Sequence, residues 1–91
     1  MIKKPLSFTE HAEAMLVERE IEREWVEQTV AQPDEVEPDP RRPGITLAFR
    51  AIDEREGRIL RVAYAETDEE IRIVTTYFDR ARRRRATSER E

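Results

Sequence analysis

The first third of the chain carries apolar residues at the spacing of amphipathic helices. Four of them recur at i, i+4, i+7 and i+8, which places them on one helical face: Phe8, Ala12, Met15 and Leu16. Glu10 follows Ser7 by three positions, and this pairing is typical of a capping box at a helix N-terminus. The pattern predicts a first helix over about residues 8–19, with Ser7 as its N-cap.

A second set of apolar residues repeats the helical spacing: Ile21, Trp25, Val26 and Val30. We predict a second helix over about residues 22–31, because Gln32 and Pro33 then end it. Few residues separate the two helices, so we expect a helical hairpin or a sharp corner.

The period changes to two after a proline-rich stretch, residues 33–43, which a helix cannot cross. Apolar residues then alternate with others in three runs: 45–50, 60–65 and 71–77. Polar turns at 53–57 and 67–70 join these runs, and such short connections indicate an antiparallel meander. Residues 34–37 predict a further, short edge strand.

These elements predict an α+β fold in which an N-terminal helix pair packs on a three- or four-stranded antiparallel sheet, in the order αα-ββββ. One face of such a sheet is apolar and must be buried, and we expect the helix pair to pack on it. We expect residues 1–79 to form this single domain and residues 80–91 to form an arginine-rich C-terminal tail.

The length and composition of the chain exclude several classes of protein. A chain of 91 residues with 42% charged and 37% hydrophobic residues is too small for a two-domain enzyme, a Rossmann domain or a TIM-sized barrel. The absence of cysteine excludes a disulfide scaffold, a thiolate zinc site and a cysteine nucleophile. No apolar run is long enough to cross a bilayer, and no acidic spacing argues for a metal. We expect a cytoplasmic protein without a membrane segment, metal or cofactor.

Charge is distributed unevenly along the chain. Residues 80–91 hold six arginines and two glutamates, a net of +4, whereas the remainder holds 11 basic and 19 acidic residues, a net of −8. The run from Arg82 to Arg85, which includes Arg83 and Arg84, is either a solvated tail or a sequence-independent contact to nucleic acid.

Two polar residues of the first predicted helix are candidates for chemistry. His11, the only histidine, lies at the edge of the apolar stripe, where it acts as a general acid or base or simply packs and bonds locally. Helical angles place Arg19 in the middle of the stripe. Its guanidinium then either binds an anion or stabilises the helix through capping or an ion pair.

Side chains on the predicted strands form the second candidate set. Arg61 lies on the face opposite Leu60, and with Arg50 and Arg72 it lines either a phosphate-binding face or a solvated one. Thr75 and Tyr77 end the last strand, where they either position a phosphate or ribose hydroxyl or serve only as good strand formers.

Four segments of the helical half together resemble the opening of the bacterial domain of unknown function family 4258: Thr9-Glu10-His11-Ala12, Glu18-Arg19-x-Ile21, Trp25-Val26 and Pro33-Asp34. The family pattern reads approximately H-A-x-x-R-M-x-E-R-x-I on the first helix. Its L-R-V and T-x-Y segments are similar to Leu60-Arg61-Val62 and Thr75-Thr76-Tyr77. The resemblance covers roughly residues 7–79.

The resemblance implies the small α+β fold of the RelE and barnase ribonuclease group, whose metal-independent members include toxins of toxin–antitoxin pairs. It implies RNA as the substrate and an antitoxin-like or other protein as the partner. It assigns catalytic roles to His11, Arg61 and Tyr77 and substrate binding to Arg19 and Thr75; on the nucleic-acid interpretation of the tail, Arg83 and Arg84 add substrate contacts.

A non-catalytic protein-interaction module on the same fold is the alternative hypothesis. Two observations motivate it. Met15 stands where the family pattern has an arginine four residues after the histidine, and the body of the chain is acidic.

Overall fold

The computed structural model describes residues 4–82. Its elements follow one another in the order β1 (Leu6–Phe8), α1 (Glu10–Glu18), α2 (Arg23–Ala31), β2 (Glu35–Pro38), β3 (Thr46–Ile52), a short 3-10 helix (Asp53–Arg55), β4 (Arg58–Glu66) and β5 (Ile71–Phe78).

The strands form one five-stranded sheet in the order β1-β5-β4-β3-β2. β1 runs parallel to β5, and the other neighbours are antiparallel. The α+β class and the helix pair are therefore confirmed. The predicted αα-ββββ order and the purely antiparallel sheet of three or four strands are wrong, because a strand precedes the helices. That strand has only three residues, too few to show a period of two.

The short β1 strand also changes where the first helix begins. Ser7 pairs with Arg72 in the sheet and is not the predicted N-cap. Thr9 is the N-cap: its backbone is extended, and its hydroxyl accepts a hydrogen bond of 3.1 Å from the backbone N–H of Ala12. The helix therefore begins at Glu10, two residues later than the apolar spacing predicts.

A Schellman motif ends the first helix and turns the chain sharply into the second. Glu20 adopts a left-handed conformation with φ 56°. The backbone N–H of Ile21 donates to the carbonyl of Leu16 at 2.9 Å, and both side chains are buried together. Arg19 thus lies at the helix C-cap with its side chain exposed, outside the apolar stripe in which a continuing helix would place it.

Both helices pack on the same face of the sheet. The core between them contains ten buried residues of the described chain: Ala12, Leu16, Ile21, Trp25, Val26, Ile52, Leu60, Val62, Ile71 and Ile73. A smaller buried cluster lies on the opposite face, which we call the helix-free face: Leu47, Phe49, Ile59 and Ala63. Within residues 4–82, neither helix has the length and apolar character needed to cross a bilayer.

Shortening a fully buried core side chain should cost far more stability than shortening an exposed one. We expect Leu60→Ala to lower the free energy of unfolding by about 2–5 kcal/mol, because Leu60 is 0% exposed between helices and sheet. Val17→Ala, at a position 79% exposed, is the control and should change it by less than about 0.5 kcal/mol. Urea unfolding followed by Trp25 fluorescence measures both, and similar losses in the two variants would contradict the assigned core.

Asp39 should make the stability of the proline-rich loop depend on pH. The backbone N–H of Arg41 donates to its carboxylate at 2.8 Å, and this bond, aided by the Arg42 guanidinium, lowers the pKa of Asp39 despite partial burial. A depressed pKa in the folded state stabilises the fold above the unfolded value of about 3.9. That stabilisation is lost as pH falls through the folded value.

The difference in unfolding free energy between the wild type and Asp39→Asn should therefore be largest above about pH 4 and shrink in more acidic solution. Urea unfolding at several pH values measures it. A difference that stays constant or grows on acidification would refute this role of Asp39.

Candidate functional site

Near its middle, β5 contains one residue more than its partner strand β4. Tyr64 pairs with Ile73 and the preceding Ala63 pairs with Thr75, so Val74 has no counterpart on β4. This is a β-bulge, a feature that changes the face to which the following side chains point.

Because of the bulge, Tyr77 and Arg61 lie on the same face of the sheet. Directly opposed residues on antiparallel strands project to one side, and Tyr77 opposes Arg61. Strict alternation from Ile71 would instead have turned Tyr77 towards the helices. The guanidinium carbon of Arg61 lies 5.2 Å from the centroid of the Tyr77 ring, a cation–π contact that fixes the arginine on the helix-free face.

Arg61 retains hydrogen-bonding capacity. Its Nε atom is buried and has no hydrogen-bond partner among residues 4–82, and no ion pair neutralises its guanidinium within that part of the chain. A buried donor left unsatisfied costs about 1–3 kcal/mol. An anionic acceptor with two oxygens, such as a phosphate or a carboxylate, suits the geometry of the guanidinium fork.

His11 reaches the same strand from the helix side. It lies in the first turn of α1, exposed, with its Nε2 atom 3.0 Å from the Thr75 hydroxyl oxygen. The tautomer of the ring decides which of the two atoms donates. Thr9 anchors this turn, because its backbone N–H donates to the carbonyl of Ile73 and its hydroxyl donates to that of Val74, both at 3.1 Å.

His11, Thr75 and Tyr77 lie along an open edge of the sheet, and Arg61 contacts Tyr77 from the neighbouring strand β4. β1 pairs only with Ile71 to Ile73, after which the chain turns into α1. No strand of the described chain covers the outer edge of β5 from Thr75 onwards. We call the group His11, Arg61, Thr75 and Tyr77 the β5-edge site. Thr75 and Tyr77 are two positions apart on one strand, so the β5-edge site is continuous from His11 to Arg61.

The other predicted arginines lie elsewhere. Arg19, the C-cap of α1, is eight residues after His11, about 12 Å along the helix axis. Its backbone N–H donates to the carbonyl of Met15 at 2.9 Å, and its side chain forms no polar contact within residues 4–82. Arg50 opposes Leu60 and faces the helices, where it donates to the backbone carbonyl of Gln32 at 2.7 Å. Arg50 and Arg61 therefore do not share a face, and the predicted three-arginine surface does not form.

Arg82, the first residue of the arginine run, is held against the helix-free face. Its guanidinium carbon lies 3.7 Å from the centroid of the Phe49 ring. The guanidinium hydrogen-bonds to Glu35, and it lies 3.5 Å from a carboxylate oxygen of Glu37 and 3.9 Å from one of Asp79. Arg82 is thus already neutralised by protein carboxylates. Arg83 and Arg84, the two predicted contacts to substrate, lie outside the described residues.

A family model described as Domain of unknown function (DUF4258) matches residues 8–78. These residues include all four members of the β5-edge site and both helices. No curated protein and no solved structure matches the chain.

Removing the Thr75 hydroxyl should change the tautomer balance of the His11 ring without unfolding the protein. Thr75→Val keeps the shape and strand propensity of the residue but breaks the 3.0 Å contact to His11. We expect a clear change in the ¹⁵N shifts and tautomer balance of the His11 ring, measured by NMR, with a loss of stability no greater than about 1.5 kcal/mol.

Thr46→Val on β3 is the matched control for this substitution. Thr46 is also half-buried in a strand, opposite Tyr64 rather than beside α1, and the control should leave the His11 ring unchanged. Identical His11 spectra in Thr75→Val and wild type would show that the contact does not form in solution.

Proposed function

This chain belongs to the DUF4258 family, a domain of unknown function, and we propose that it is a metal-independent endoribonuclease of the RelE-like kind, the toxin of a toxin–antitoxin pair. The proposal rests on one arrangement. At the open edge of β5, an exposed His11 lies 3.0 Å from Thr75. Two positions along the strand, Tyr77 contacts Arg61, whose buried Nε has no partner within residues 4–82. A proton acceptor and an anion binder on either side of an accessible strand suit the cleavage of a phosphodiester.

The reaction uses the RNA's own 2′-hydroxyl as the nucleophile. Neutral His11 accepts the 2′-hydroxyl proton, the 2′-oxygen attacks phosphorus, and the bond from phosphorus to the 5′-oxygen breaks. The products are a 2′,3′-cyclic phosphate and a 5′-hydroxyl. The leaving oxygen takes up the proton that His11 received, so no proton is consumed overall.

Arg61 stabilises the reacting phosphate. Negative charge increases on the non-bridging oxygens as the 2′-oxygen attacks, and a guanidinium already fixed against Tyr77 needs little reorganisation to meet it. Thr75 and the Tyr77 hydroxyl orient the ribose and the leaving group. Arg19 is about 12 Å from His11 along α1, so it contacts RNA beyond the scissile phosphate, as do Arg83 and Arg84.

A non-catalytic interaction module is the second candidate, and Met15 favours it. Met15 lies four residues after His11 and is 8% exposed, where the family pattern has an arginine. One phosphate-binding side chain is thereby replaced by an apolar one. The exposed side of the helix pair is rich in glutamate, including Glu10, Glu18 and Glu27, which suits a basic protein partner such as an antitoxin-like protein.

Loss of His11 should abolish RNA cleavage. We expect His11→Ala to slow the cleavage of a single-stranded RNA by about 10²–10⁴-fold, because the reaction loses its general base. Addition of EDTA should leave the wild-type rate unchanged. The measurement is a gel assay that also identifies the 2′,3′-cyclic phosphate end.

Glu27→Ala, an exposed substitution on α2, is the matched control and should retain the wild-type rate. The ribonuclease proposal fails if pure wild-type protein leaves RNA intact, or if His11→Ala cleaves it as fast as the wild type. An intact RNA combined with a stoichiometric complex with an antitoxin-like protein encoded next to it would favour the interaction module.

A further inference from the structure

Seven arginines of residues 4–82 have no carboxylate partner, and four of the seven lie around one end of the sheet. Every ion pair within residues 4–82 uses one of five cations: Lys4, Arg23, Arg42, Arg72 and Arg82. Four arginines around the C-terminal end of β5 form none: Arg55, Arg58, Arg61 and Arg80. Acidic residues adjoin them in sequence, at Asp53, Glu54, Glu56 and Asp79, but no ion pair is formed by these four arginines within residues 4–82.

Two of these arginines share one aromatic ring. The guanidinium carbons of Arg55 and Arg58 lie 5.0 Å and 4.8 Å from the centroid of Phe78. Arg55 also lies 5.7 Å from the Trp25 ring and donates to the carbonyl of Glu20 at 3.1 Å, so its position is well defined. We call Arg55, Arg58 and Phe78 the Phe78 cluster.

The Phe78 cluster brings like charges together without neutralising them. Glu54 and Glu56 are close in sequence, but neither forms an ion pair with Arg55 or Arg58. Two guanidinium groups that contact one ring are like charges, and an anion bound to either of them offsets the repulsion between them. Stacking on the ring restricts both side chains, which lowers the entropy lost when they bind a ligand.

The Phe78 cluster lies at the end of the sheet towards which β5 runs, where β4 begins with Arg58 and the preceding 3-10 helix supplies Arg55. Phe78 is three positions after Thr75, about 10 Å along the strand. Phe78 opposes Leu60 and so lies on the helix side, from which His11 also approaches Thr75. A single nucleic-acid strand that follows the outer edge of β5 from His11 therefore reaches the Phe78 cluster within a few nucleotides.

We propose that the Phe78 cluster binds a phosphate of single-stranded RNA and so extends the β5-edge site beyond the scissile bond. This inference rests on the proposed ribonuclease function and specifies how the substrate is held. Guanidinium groups bind phosphate and carboxylate alike through two parallel hydrogen bonds. Phosphate is favoured over the isolated carboxylates of an acidic protein because an RNA backbone presents phosphates at regular spacing along one edge.

Binding of a non-cleavable, 2′-O-methylated oligonucleotide to the full chain tests the proposal. Arg58→Gln removes one exposed cation whose contact in the described chain is with the Phe78 ring. In a plot of log affinity against log salt we expect the slope to lose about 0.7 in magnitude, the contribution of one phosphate contact on a single strand. At 0.1 M salt this corresponds to about fivefold weaker binding.

Arg41→Gln is the matched control, since Arg41 is also exposed and its side chain has no partner within residues 4–82, but it lies in the proline-rich loop. It should leave both slope and affinity unchanged. Arg58→Lys should recover the slope but only part of the affinity, because lysine keeps the charge without the bidentate geometry.

The outcomes separate this proposal from the ribonuclease proposal. If Arg58→Gln binds RNA with the wild-type slope and affinity while His11→Ala is inactive, the Phe78 cluster is not a phosphate site but the ribonuclease function stands. A wild-type chain that binds no RNA overturns both proposals. A loss confined to binding of poly-glutamate would identify the Phe78 cluster as a contact for acidic protein, and overturn the RNA assignment.

Discussion

Val74 is the extra residue that reverses the alternation of side chains along β5. It allows residues on both sides of the bulge to point towards the helices. Ile71 and Ile73 pack under the helices before it, and Thr76 and Phe78 do so after it. Without an inserted residue, one of these pairs would face the opposite side of the sheet and leave the core. The hydrophobic requirement of the core therefore fixes the bulge, and the bulge in turn fixes Tyr77 beside Arg61.

The same position anchors the helical layer. The hydroxyl of Thr9 bonds to the carbonyl of Val74 and also caps α1 at Ala12. One side chain thus connects the start of the helix to the irregular part of the strand, and His11 follows two residues later. The geometry of the β5-edge site is consequently set by backbone features and a cap, with Arg61 held by its ring contact.

Much of this arrangement follows from sequence periodicity, and the failures have local causes. The helices and the three long strands were predictable because their apolar stripes are long enough to show a period. Residues 6–8 were not, since three residues of a strand next to a helix carry the same apolar signal as the helix. The bulge was invisible because Thr75 and Tyr77 suit either face of a strand. Its trace in the sequence is that Val74 and Phe78 are apolar although they fall out of the alternation that starts at Ile71. His11 and Thr75 could be named from the sequence, but their contact depends on the parallel pairing of β1 with β5, a long-range feature that local patterns do not contain.

The pairing of the first strand with the last also constrains when the protein becomes functional during its synthesis. His11 and Thr75 are 64 residues apart in the chain, yet they touch. When the helices and the strands before β5 have left the ribosome, His11 still lacks Thr75, its hydrogen-bond partner. At the same stage β1 lacks β5, the strand with which it pairs. Domains generally begin to fold from the N-terminus as they leave the ribosome, but the sheet of this domain is completed only when β5 has been synthesised. The β5-edge site therefore cannot assemble on the nascent chain until nearly all of this domain has left the ribosome.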